Sequence, residues 1–115
     1  MKPNRLLLQV FGLLLAPLCI GSAAAADAVD ASAAEALARK SGCLKCHAVD
    51  RKKDGPAFKD VAAKYKGKAD AEKTLAAFLT TNAKIKVDGK DEEHSSLKTK
   101  NEAEARNVAR WILTR

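Results

Sequence analysis

Five consecutive residues, Cys43-Leu44-Lys45-Cys46-His47, constrain this chain more than any other feature. C-x-x-C-H is the attachment sequence of a c-type haem. Two thiols three positions apart at a helix end can both reach the vinyl groups on one edge of a porphyrin. The next residue then sits under the ring with its imidazole directed at iron. Other readings compete for the same residues. A disulfide between Cys43 and Cys46 closes too small a loop to stabilise much. A thioredoxin-like pair wants a βαβ setting, and no strand-like alternation is evident. Zinc could take Cys43, Cys46, His47 and His94, which are ligands of suitable types, although adjacent Cys46 and His47 bend awkwardly onto one metal. Haem is the reading that the spacing favours.

Composition explains what such a group would do for the fold. Of 115 residues, 47% are hydrophobic but only 4% aromatic, and 30% are charged. That balance excludes an acidic disordered tail, a collagen-like repeat, a multi-spanning membrane protein and two domains of ordinary size. Residues 1–26 read as a cleaved secretory signal: Lys2 and Arg5, an apolar run from Leu6 to Ile20, then Ala24-Ala25-Ala26 in the A-x-A pattern. The run is shorter than the about 20 apolar residues of a spanning helix, and Pro17 breaks it. Cys19 lacks the small residue that a lipobox places directly before its cysteine. The expected product is a periplasmic domain over residues 27–115, released near Ala26, with no stable membrane anchor. Its aromatic residues are Phe58, Tyr65, Phe78 and Trp111. A chain this short buries roughly 60–68% of its unfolded surface, so an apolar macrocycle would supply core volume that the side chains lack.

Helical spacing accounts for most of the remainder and predicts an all-α domain of about four short helices. The first covers Ala31 to Ser41 and is stopped by Gly42. The second covers Ala57 to Tyr65, between Gly55-Pro56 and Gly67. A third runs from about Ala71 to Thr81 with Asp70 as N-cap. The last begins near Asn101, with Glu102 and Glu104 in its first turn and Ala105, Val108, Trp111 and Ile112 as its inner stripe. Between Asn82 and Lys100 lies a polar stretch with Gly89 and no helical period, long for a structureless loop in so small a domain.

Three segments carry a resemblance: Ser41 to Asp50 around the attachment motif, Gly55-Pro56-Ala57-Phe58-Lys59-Asp60-Val61-Ala62-Ala63-Lys64-Tyr65, and Ala109-Arg110-Trp111-Ile112-Leu113. The chain resembles the small bacterial class I cytochromes c of the c551/c8 kind over most of residues 31–115. The resemblance implies the cytochrome c fold around one covalently attached haem c, and a monohaem electron carrier with no enzymatic activity. It also assigns the Pro56 carbonyl to the N–H of the proximal ligand His47, a contact that orients the imidazole and raises its basicity.

One feature departs from that family. Its sixth iron ligand is a methionine, and here the only methionine is Met1. His94 follows His47 by 47 residues and precedes Trp111 by 17, close to where the methionine would fall. The expectation is that iron is held by His47 and His94. Lys90, Lys98 and Lys100 are weaker candidates because an amine must first lose its proton, and an open five-coordinate iron is the remaining alternative. Thioether ligation raises a haem potential, so a second imidazole implies a low-potential shuttle. The alternative function is a small-gas binding module or sensor with an open or displaceable distal site. A peroxidase-like enzyme would need a distal acid or base that is not evident.

The net charge of +7 becomes +5 once Lys2 and Arg5 are removed. Lysines cluster at Arg51-Lys52-Lys53, around Lys64 to Lys68, at Lys84 and Lys86, and at Lys98 and Lys100, and Lys45 lies inside the attachment motif. A basic rim around the haem edge would steer redox partner proteins with acidic docking surfaces. No nucleic-acid motif is present, and a monomer or weak dimer is expected.

Overall fold

Asp30 starts the first helix: its carboxylate accepts the Ala33 N–H at 2.9 Å, and α1 runs Ala31–Lys40. A computed structural model describes residues 28–115, so the signal expected over residues 1–26 lies outside the described residues. Beyond α1, Ser41 and Gly42 turn the chain directly into α2, Cys43–Cys46, a single helical turn. The helices α3, Phe58–Tyr65, and α4, Ala71–Leu79, follow where their apolar spacing places them. Asp70 does precede α4, but its side chain caps no backbone N–H and instead accepts from the Thr74 hydroxyl at 3.2 Å. Asn101 caps α5, Glu102–Leu113, by accepting the Ala103 N–H at 2.9 Å.

The helical expectation holds, with two additions, the single turn α2 and a hairpin. Lys84–Val87 and Lys90–Glu93 form an antiparallel hairpin, β1 and β2, pairing Lys84 with Glu93 and Val87 with Lys90. Asp88 and Gly89 have φ of +48° and +80°, the two positive values that a type I′ turn requires. The stretch from Asn82 to Lys100 is therefore built, and the absence of strand alternation read from sequence is corrected. The reason is chemical. β1 alternates Lys, Ile, Lys and Val with its apolar residues half-buried, whereas β2 is charged and exposed throughout. What holds β2 to β1 is the backbone ladder and opposite charges across it, with Lys86 Nζ 2.6 Å from Asp91.

α5 is the hub and packs against α1, α3 and α4. Ala34 and Ala38 are fully buried on α1, and such small side chains let it lie close to Ala105, Val108 and Ala109. Phe58 meets Trp111 edge-on at 5.5 Å, and Leu75, Leu79, Leu97 and Ile112 complete the core. Asn107 ties the start of α1 to α5, exchanging hydrogen bonds with the Asp30 backbone at 2.9 and 2.8 Å. Few large side chains stand in this list. The polypeptide alone has a thin core for its length.

Candidate haem site

The single turn α2 delivers Cys43, half-buried, and Cys46, exposed, with the two thiols not bonded to each other. Burial pushes the Cys43 thiol up and the neighbouring Cys46 adds to the rise, while a backbone hydrogen bond at Cys43 opposes it. The His47 N–H then donates to Cys43 O at 3.0 Å and the Gly55 N–H to Cys46 O at 2.8 Å, so the chain leaving the motif is folded back onto it. Lys53 Nζ fastens the same loop by donating to Leu44 O at 2.8 Å.

That fold-back fixes the His47 ring. Its Nδ1 lies 2.7 Å from Pro56 O, and a carbonyl can only accept, so Nδ1 carries the proton. In the neutral ring this tautomer leaves the lone pair on Nε2, the form that binds a metal. Phe58 stacks on the imidazole at 5.3 Å with 18° between planes. Gly55 passes so near that a Cβ there would sit 2.4 Å from His47 Cε1. Glycine is demanded here by proximity.

His94 stands at the foot of the hairpin, where its N–H donates to Ala83 O at 2.8 Å. Its ring centroid is 6.0 Å from that of His47 at 54°, and 4.8 Å from that of Phe78. Burial, and then the nearby His47, lower the pKa of His94 below its ordinary value, with a hydrogen bond to the Ser95 backbone working the other way. The neutral, ligating form is thereby favoured. Its Nδ1 is buried and finds no hydrogen-bond partner among the described residues.

Two free thiols with two imidazoles nearby are donors of the kinds that a covalently held haem takes. Among the described residues no three His, Cys, Asp or Glu side chains gather as ligands, so the four-ligand zinc arrangement is not assembled. Lys90, Lys98 and Lys100 are all exposed. The Pro56 carbonyl lies against His47, the contact that the resemblance implied, and the His94 ring lies 6.0 Å from the His47 ring. The sequence reading missed Gly55 and Phe78 as neighbours of these rings. Gly55 adjoins a proline already singled out, which was the available signal; nothing local distinguishes Phe78 from a core residue.

A family model described as Cytochrome c matches residues 31–115. Cytochrome c-551 of Azotobacter vinelandii is 43% identical over 83 residues, covering 70% of this chain and 94% of that protein. Cytochrome c-552 of Nitrosomonas europaea is 38% identical over 98 residues, covering 83% and 93%. Among solved structures, the class 1 cytochrome MtoD of Sideroxydans lithotrophicus ES-1 superposes with a TM-score of 0.72 at 48% identity, over 76% of this chain and 97% of that one.

Proposed function

Because the chain belongs to the cytochrome c family and so carries one covalently attached haem c with its iron, we propose that it is an exported, low-potential electron carrier closed by two imidazoles. In this reading Cys43 and Cys46 hold the haem, His47 is the proximal ligand and His94 the distal one. Residues 1–26 direct export to the periplasm and are removed near Ala26. The haem, when bound, supplies an iron that passes between ferric and ferrous states. The carbonyl of Pro56 keeps the His47 proton on Nδ1 and makes the imidazole a stronger donor. Phe58 stacks on that ring, and the absence of a side chain at Gly55 leaves the space it occupies.

The observation that carries the reading is the placement of His94. The chain contains two histidines, and beyond Met1 it has no methionine. The second histidine has its ring 6.0 Å from the first and a buried nitrogen without a hydrogen-bond partner among the described residues. Two strong nitrogen donors favour ferric iron more than a thioether does, which supports a potential below that of methionine-ligated relatives. They also close both faces, so the function is transfer between proteins and neither gas binding nor catalysis.

Partners of redox function follow from the family. Their acidic docking surface is inferred from this chain's exposed Lys45, Arg51 and Lys52, which lie about the motif beside Val49, the one large hydrophobic exposed among the described residues, at 40%. The test is the absorption spectrum of ferric and ferrous protein with and without carbon monoxide. Wild type should be six-coordinate, low-spin and slow to take up the gas, and His94→Ala should be open and bind it at once. An unchanged spectrum in His94→Ala, or an open haem in wild type, would assign the chain to a gas-binding role instead.

A further inference from the structure

The segment that follows His94 is tied down at places outside the hairpin. The Leu97 N–H donates to Leu79 O at 2.8 Å, and the Leu97 side chain is 5% exposed in the core. The next residue is held differently: the Lys98 N–H donates to Ser41 Oγ at 2.8 Å. Ser41 is the one polar residue classed as buried among the described residues, at 5% exposure. It sits two positions before Cys43, at the end of α1, and its own N–H is spent on Leu37 O at 2.9 Å. A single buried hydroxyl therefore joins the strand of chain carrying His94 to the turn carrying Cys43, Cys46 and His47.

We propose that Ser41 is a positioning residue for the distal ligand, setting how readily His94 leaves iron. The inference rests on His94 being that ligand. Its physical basis is the asymmetry of hydrogen bonding. A made bond contributes modestly, but a donor enclosed without an acceptor is penalised. Removing the Ser41 hydroxyl takes away the acceptor that the Lys98 N–H has in this part-buried bond, and with it the side-chain tie between residues 94–98 and the end of α1. His94, four residues before Lys98, then loses one restraint on its position. Loss of an ordinary core contact elsewhere destabilises the whole fold without favouring this particular opening, since local and global unfolding are separate equilibria.

Ser41→Ala in the holoprotein should raise the rate at which ferrous protein takes up carbon monoxide about tenfold, equivalent to about 1.4 kcal/mol in the opening equilibrium. Ser41→Thr, which keeps the hydroxyl, should restore slow uptake. Val108→Ala, a buried α5 site outside this linkage, should lower thermal stability while leaving uptake unchanged. The proposal is overturned if Ser41→Ala loses stability yet binds carbon monoxide at the wild-type rate, or if Val108→Ala accelerates uptake equally. Should Ser41→Ala fail to mature, amide exchange in the wild-type holoprotein decides. The His94, Leu97 and Lys98 amides should exchange together through one opening, and independent exchange of Lys98 at the rate of an exposed loop amide overturns the idea. Failure of two-histidine ligation itself would be seen separately, as an already open haem in wild type or no effect of His94→Ala.

Discussion

His47 is held by three neighbours that act through different physics: the Pro56 carbonyl by a hydrogen bond, Phe58 by stacking, Gly55 by having no side chain. Gly55→Ala tests the last. Its methyl would meet the imidazole at 2.4 Å, and overpacking of this kind typically costs about 1–3 kcal/mol. The expected outcome is a lowered melting temperature together with a disturbed proximal ligand signal, and unchanged values of both would show that the ring is free to give way. Much of this site was legible in the sequence. The motif spacing is local, so Cys43, Cys46 and His47 announce themselves, and His94 emerges because the chain offers so few alternatives. Ser41 and Phe78 stay invisible there, since each matters only through a residue far along the chain: Ser41 through Lys98, Phe78 through His94.

The hairpin is the element that sets where His94 begins, because the ladder between β1 and β2 ends just before its N–H reaches Ala83 O. Its turn is the vulnerable point. A side chain forced into the left-handed conformation costs about 1–2 kcal/mol, and Gly89 has φ of +80° with open space around it. Gly89→Val should accelerate amide exchange across Lys84–Glu93 and increase carbon monoxide uptake modestly, with helical circular dichroism unchanged. Protection that persists in the variant would mean the turn does not govern the hairpin. The four longer helices were legible from apolar spacing, and α5 from Asn101 and its acidic first turn. α2 is one turn long and has no period to read. The hairpin was hidden because only β1 alternates, though Asp88-Gly89 after Lys84-Ile85-Lys86-Val87 is a recognised hairpin signal. At the other end of the molecule, Asn101→Ala removes the α5 cap and should cost about 1 kcal/mol, read as a lower denaturant midpoint.

At the scale of the molecule, haem ligation by His47 and His94 would cross-link two halves of a chain whose own core is thin, with Ala34, Ala38, Ala105 and Ala109 among its buried residues. The haem-free chain should accordingly lose cooperative unfolding, which calorimetry of the unmatured product would reveal. The same molecule carries a surplus of positive charge. Electron transfer to a polyanionic oxidant such as hexacyanoferrate should therefore slow as ionic strength rises, and slow again in Lys45→Glu at low salt. The proposal that one iron joins both halves is tested most directly by near-infrared magnetic circular dichroism of the ferric holoprotein beside His94→Ala. Wild type should give the charge-transfer band of two neutral imidazoles and the variant a high-spin spectrum; a single-imidazole signature in wild type, or identical spectra from the two proteins, would contradict it.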